Sequence, residues 1–170
     1  MVIEEQNISD TEILLFFPAP LPIRGAFYLE KPSSTTLPLL QNIADTQLAQ
    51  TLLLTDDFLY LESTTPDSLD DLKTIALAEI DDYTATPQTI QTAPEADTLN
   101  KIKIILKTII APFLQKDGGD IELVDYINGT VSVHFLGKCH GCPYAEKTLK
   151  NRVEKNLIRY IPEVREAVLV

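Results

Sequence analysis

Residues 84–97 read TATPQTIQTAPEAD, with two prolines, four threonines and no apolar period that a helix or strand could use. A stretch of this kind joins folded units and does not form one. Residues 1–83 and 98–170 must then each close a core of their own, at sizes below about a hundred residues where one core is only marginally stabilising. Charge divides the chain at the same place. Up to Pro94 there are fifteen acidic side chains against three basic ones, Arg24, Lys31 and Lys73, a net of -12. From Glu95 onward, eleven basic against ten acidic give +1. The expectation is an α+β chain of two small domains joined by a flexible linker.

In the first part, Glu12 to Phe17 is a β-like run stopped by Pro18, Pro20 and Pro22, which a central strand does not tolerate. Pro38, followed by Leu39, Leu40 and Ile43, suits the first turn of a helix. Residues 52–54 and 58–61 read as two strands around the acidic turn Thr55-Asp56-Asp57. Leu69, Leu72, Ala76, Ile80 and Tyr83 then recur at helical spacing behind Ser63, Thr64 and Thr65, which are able to cap.

The second part predicts helix, strand, strand, helix, strand. Leu99, Ile102, Leu106, Ile109 and Phe113 form one apolar stripe, with Asp97 and Thr98 as candidate caps and Pro112 set to distort the last turn. Gly118-Gly119 ends that helix. Residues 121–127 and 130–136 flank Asn128-Gly129, the pair that favours a hairpin turn matching strand twist. Leu149, Val153 and Leu157 mark the second helix, and residues 167–170 the last strand.

Several function classes fall away. No apolar stretch is long and uninterrupted enough to span a bilayer as a helix, since Lys103 and Lys107 break the longest. A chain of net charge -11 repels phosphate backbones, so nucleic acid is excluded as a general partner. Two cysteines three residues apart make no disulfide framework, and the opening Met-Val-Ile-Glu-Glu carries no recognisable address. The expectation is a reducing compartment, with cytoplasm the default; a mature organellar chain would read the same.

The chemistry concentrates in Gly137-Lys138-Cys139-His140-Gly141-Cys142-Pro143, between a strand and a helix expected to begin at Pro143. Two intervening residues let both sulfurs converge on one ion or one cluster edge. Cys142 falls near the expected helix start, where free amides, the helix dipole and Lys138 favour thiolate. Three readings follow. Zinc asks for about four ligands, and the other soft or borderline ones here are His134, at the outward parity of its strand, and His140, caught between the cysteines. A dithiol-disulfide oxidoreductase also places C-x-x-C at a helix start, although usually after an early strand of a βαβ unit. An iron-sulfur cluster wants about four thiolates, so the second pair must come from another copy, a small thiol or a client protein.

Residues 114–164 resemble the C-terminal domain of NifU-like (Nfu-type) iron-sulfur scaffold and carrier proteins. The likeness rests on Asp117-Gly118-Gly119-Asp120, the later C-x-x-C-P, Thr148-Leu149-Lys150 at a helix start, and Ile161-Pro162-Glu163-Val164. It implies that Cys139 and Cys142 ligate an iron-sulfur cluster, [4Fe-4S] by preference, and that the chain is a carrier and not an enzyme. It also implies a cluster-bridged homodimer, upstream assembly proteins as donors and client apoproteins as acceptors. Residues 1–83 more faintly resemble the N-terminal domain of one branch of that family, through Pro38-Leu39, Asp57-Phe58 and the opening strand. There the family's Thr-Pro-Asn-Pro is replaced by Ile8-Ser9-Asp10-Thr11, and Lys138 and His140 replace smaller residues common beside the family's cysteines.

Other candidates read as structural. Asp117 and Asp120 lack the further oxygens of a calcium loop and suit a helix stop. Lys147, Lys150, Arg152, Lys155 and Arg159 read as a solvated basic face on the last helix, with docking of acidic clients or of the acidic first domain as the alternative, while Asp56-Asp57 and Asp81-Asp82 make a generic acidic surface.

Overall fold

The computed structural model describes residues 3–33, 35, 37–85, 97–141 and 143–170. The chain forms two compact units, Met1–Pro94 and Glu95–Val170. Residues 86–96, most of the expected linker, lie outside the described residues, and Thr84 and Ala85 at its start continue a helix. Among the described residues no helix is long and apolar enough to cross a membrane.

Unit 1 is an antiparallel sheet with two helices. Its strands are β1 (Glu4–Asn7), β2 (Glu12–Phe16), β3 (Phe27–Glu30), β4 (Ala49–Leu54) and β5 (Phe58–Ser63), in the spatial order β1-β2-β5-β4-β3. Side chains two apart along a strand share a face. The register sets Ile13 opposite Leu61 and Leu15 opposite Leu59, with Leu52 and Leu54 completing the row from β4. These six pack with Leu39, Leu40 and Ile43 of α1 (Pro38–Asp45) and Leu72, Ala76 and Ile80 of α2 (Leu69–Ala85). Pro38 opens α1 as expected. A 3-10 turn, Pro66–Ser68, precedes α2, and Thr65 N donates to Ser68 Oγ at its entrance.

The other parity of β2 holds a buried polar cluster. Tyr60 Oη donates to Glu12 Oε1 at 2.5 Å, and Ser9 Oγ donates to Glu12 Oε2 at 2.8 Å. Burial, reinforced by the Glu12 carboxylate, pushes the Tyr60 hydroxyl far above the ordinary tyrosine range.

Unit 2 has the expected order of elements. Its first helix runs in three segments: α3 (Thr98–Ile105), a π-helical stretch Leu106–Ile110, and α4 (Ala111–Lys116). Pro112 lacks an amide hydrogen and its ring crowds the carbonyl four residues back, so the helix loosens ahead of the proline and not in its final turn. Thr108 Oγ1 takes up the Ile104 carbonyl at 2.7 Å. The wider winding rotates the apolar stripe. Ile102 and Leu106 are buried as expected, but beyond them the buried positions move on by one, to Ile110 and Leu114, and Phe113 is exposed; Leu99, in the first turn and ahead of the π-helical stretch, is exposed as well. Asp97 stands at the N-cap in a left-handed conformation with no side-chain capping bond, so the expected carboxylate cap is absent.

β6 (Gly119–Ile127) and β7 (Thr130–Gly137) form the hairpin around Asn128 and Gly129, both at positive φ, as a tight hairpin turn requires. β8 (Glu166–Leu169) lies parallel to β7. Between them runs the second helix: α5 (Ala145–Thr148), a π-helical stretch Leu149–Glu154 and α6 (Lys155–Tyr160). It begins at Ala145 and not at Pro143. Leu149, Val153 and Leu157 are buried with Val131, Val133 and Phe135 of β7. The Ile-Pro-Glu-Val segment has a packing role: Glu163 pairs at 3.6 Å with Lys101, a lysine 1% exposed.

Candidate functional site: the cysteine loop

The loop that carries Cys139 leaves β7 at the open end of the hairpin, opposite the Asn128-Gly129 turn. At that end Gly119, the first residue of β6, faces Gly137, the last of β7. The C-terminus of α4 arrives at the same spot. Gly118 takes the left-handed conformation, φ 80°, that stops the helix, and its amide returns to Gln115 O at 3.0 Å. Helix end, strand start and thiol loop therefore meet at the Gly118-Gly119 pair.

The loop is tied to this pair through its backbone. Lys138 N donates to Gly118 O at 3.1 Å, and His140 N closes a turn on Gly137 O, also at 3.1 Å. Contact is close enough that side chains are excluded. A Cβ on Gly137 would lie 2.6 Å from Gly118 O, and one on Gly119 would overlap Cys139 Sγ and come within 2.9 Å of Cys139 Cβ. The aliphatic part of Lys138 lies over Gly118.

Cys139 is half-buried in this seat, while His140 and Gly141 are exposed. His134 on β7 and His140 on the loop stand with rings nearly parallel, 10° apart in plane and 5.9 Å between centroids. The outward parity expected for His134 is thus what carries it to the loop. Among the described residues no three of His, Cys, Asp or Glu are placed to hold a metal ion. Cys142 lies outside the described residues. The regular helix starts after it, with Tyr144 at the N-cap position.

The aspartates flanking the glycines act structurally: Asp117 caps α4, and Asp120 accepts the Ile121 amide at 2.8 Å. Much of the basic run on the last helix is used inside the unit. Lys150 pairs with Glu154, Arg152 covers the Phe113 ring at 4.2 Å, and Arg159 lies over Tyr160. In unit 1 a cavity of about 420 Å³ opens beside Asn7, Ile8, Ser9 and Asp10, with Asp70 and Lys73 across from them. It has no thiol or imidazole in its lining.

Sequence reasoning reached the two cysteines and missed Gly119. No local signal points to it: a doubled glycine suits a helix stop, and only the structure shows that the second has no positive φ. That glycine is required for space.

Comparison with known proteins bears on the same region. Residues 102–168 match the NifU-like domain. Over 96% of its length the chain is 32% identical to the NFU1 iron-sulfur cluster scaffold homolog, mitochondrial, of Drosophila ananassae, covering 62% of that protein. It is 28% identical over 97% of its length to NifU-like protein 4, mitochondrial, of Arabidopsis thaliana, covering 64% of it. Against the NFU1 homolog of Drosophila willistoni, identity rises to 47% over 68 residues, 40% of this chain and 24% of that one. The chain spans under two thirds of the length of these relatives.

Proposed function

We propose, from the premise that the chain belongs to the NifU-like family through its C-terminal unit, that it carries an iron-sulfur cluster on Cys139 and Cys142 and hands it to client apoproteins. The observation that carries this reading is the seat of Cys139: a half-buried thiol on a loop that two glycines hold against the hairpin, within an otherwise exposed segment. Thiolates are the ligands that iron-sulfur clusters take, and a rigid seat with an open outer side suits cargo that must later leave. The donors fit as far as they go. Each chain has two cysteines, half the usual complement of a cubane cluster, so we take the loaded form to be one [4Fe-4S] cluster between two copies of the loop.

Transfer then proceeds by ligand exchange. A client thiol replaces one cysteine at an iron, its proton passing to the departing thiolate, and repeated exchange opens the dimer without unfolding either unit. The scheme exchanges iron–sulfur bonds and moves thiol protons, and touches no other bond of the client, which is why the role is that of a carrier and not an enzyme. Donors are upstream assembly proteins. The mitochondrial names of the relatives support the organellar alternative over cytoplasm.

Anaerobic reconstitution with iron and sulfide tests the proposal. The expected product has a thiolate-to-iron charge-transfer band, one cluster per two chains, and the sedimentation of a dimer, whereas the metal-free chain sediments as a monomer. A loaded species that stays monomeric without added thiol ligands refutes the bridging arrangement. A chain that holds no iron but reduces a protein disulfide with turnover refutes the carrier reading.

A further inference from the structure

We propose that Gly119 is a positioning residue for Cys139: by having no side chain it leaves the notch in which the Cys139 sulfur sits, and so fixes where that thiolate meets the cluster. The inference rests on the carrier reading for its consequence, but its geometry stands apart from that reading. Three observations converge on it.

Gly119 needs to be glycine for space alone. Its φ is not in the left-handed region, so an alanine there incurs no backbone strain. The three atoms nearest an added Cβ all belong to Cys139: the sulfur first, then its Cβ at 2.9 Å, then its amide nitrogen at a tight 3.3 Å. The pairing that produces this approach is fixed. Gly119 stands opposite Gly137 in the ladder, Lys138 N is hydrogen-bonded to Gly118 O, and Gly137 itself abuts that same carbonyl. The backbone on both sides of the notch is therefore held, so the sulfur has to leave it, and the Cys139 Cβ, which χ1 rotation does not move, has to draw back with the loop.

A cysteine side chain has one rotor, χ1. Displacing its sulfur means changing χ1 or bending the loop, at a cost of the order that changes a rate roughly two- to tenfold. The neighbouring glycine does a different job, since Gly118 ends the helix by its positive φ. The two glycines are thus not equivalent: the first sets the path of the chain and the second sets the sulfur.

The test is Gly119→Ala in the full-length protein, read in two ways. In metal-free protein whose other cysteine is removed by Cys142→Ser, the rate of Cys139 alkylation by iodoacetamide is expected to rise roughly two- to tenfold, because the thiol loses its half-buried seat. An unchanged or lowered rate overturns the inference. In the chain with both cysteines, reconstituted with iron and sulfide, the variant is expected to surrender iron to a chelator roughly tenfold faster than the parent; equal release also overturns it. If the parent takes up no iron, the carrier reading fails while the alkylation comparison still decides the role of Gly119. Should Gly119→Ala fold poorly, the double variant Gly119→Ala with Cys139→Gly is expected to recover the melting temperature of Cys139→Gly alone. Loss that persists with the cysteine side chain absent means the clash is elsewhere, and the inference falls.

Discussion

In unit 1 the polar groups that sit deep are closed on one another. Glu12 receives hydrogen bonds from Tyr60 and Ser9, and the unit has no cysteine or histidine to offer a metal. Unit 2 also pairs a deep lysine, Lys101, with Glu163, but its soft ligands stand apart from the interior: the deep positions of β7 are Val131, Val133 and Phe135, while Cys139 and His140 stand on a loop at the end of the hairpin, with the exposed side chain of Tyr144 just beyond. A buried polar group costs stability unless it is fully partnered, and a partnered one is unavailable to a ligand. The difference between the units separates polar chemistry that stabilises a fold from polar chemistry left open for exchange. It also assigns charge: the acidic excess is in the unit without soft ligands.

The sharpest way to break that contrast is to divide the chain. A fragment beginning at Glu95 is expected to bind the cluster and one ending at Pro94 to bind none, because carboxylates are poor ligands for a sulfide-bridged iron cluster. In the full-length protein, Cys139→Ser or Cys142→Ser is expected to abolish stable loading and dimer formation together, since each substitution removes two ligands from a bridged pair. Iron and sulfide assays with analytical ultracentrifugation read both. Cluster held by the N-terminal fragment would end the division of labour drawn here.

A smaller effect is expected from Tyr60→Phe. Removing the hydroxyl leaves Glu12 Oε1 without that donor in a nearly closed site, which typically costs about 1–3 kcal/mol. The same residue gives unit 1 an alkaline limit. Its folded pKa is raised, by burial first and by Glu12 next, above the ordinary value of 10.0. The stabilisation that follows is complete below pH 10 and is lost as pH rises past it, because the unfolded chain ionises first. Tyr83, raised by burial, adds to the slope. Melting temperatures from pH 8 to 11 should therefore fall less steeply in Tyr60→Phe than in the parent, and parallel curves would remove Tyr60 from the account.

How much of this was legible depended on whether local chemistry decided the outcome. The hairpin was readable because Asn128-Gly129 dictates its turn, and α1 because Pro38 can sit at a helix start. β1 was not: Glu4-Glu5-Gln6-Asn7 has no β-favouring residue and is a fully exposed edge whose partner alone makes it a strand. β3 was missed too, four residues whose pairing with β4 fixes them. The stripe of the first helix in unit 2 was misplaced because spacing arguments assume uniform winding, and the π-helical stretch ahead of Pro112 breaks it. At the site, the cysteine pair could be read from its spacing. The approach of Gly119 to Cys139 and the pairing of His134 with His140 are long-range consequences of strand register, which no local pattern encodes.

The smallest expected effect concerns the acid side of unit 2. Glu154 lies on the π-helical stretch of the second helix, where Lys150 Nζ donates to its Oε2 at 2.5 Å and the Ala167 amide donates to the same oxygen at 2.8 Å. Burial by itself pushes this carboxyl up, and the Lys150 and Ala167 hydrogen bonds outweigh it, holding the pKa below the ordinary 4.5. A carboxylate with a depressed folded pKa contributes stability that is present above the unfolded value and is lost as pH falls through the folded one. Glu154 thus ties β8 to the helix at neutral pH and releases it in acid, the opposite limit to that of Tyr60. Lys150 is half exposed, at 53%, so solvent screens the pair and its share is small. Glu154→Gln keeps the side-chain shape and one carbonyl oxygen, and is expected to cost about 1 kcal/mol or less at pH 7. It should also flatten the dependence of unit 2 stability on pH between 5 and 3, leaving the alkaline slope of unit 1 untouched. Chemical denaturation of the Glu95–Val170 fragment and its variant across that range measures the first, and the alkaline melting series on the full chain measures the second. A variant whose acid slope equals that of the parent would remove the titration of Glu154 from the account, leaving β8 held to the helix by the Lys150 bond to Ala167 O and by the packing of Ala167.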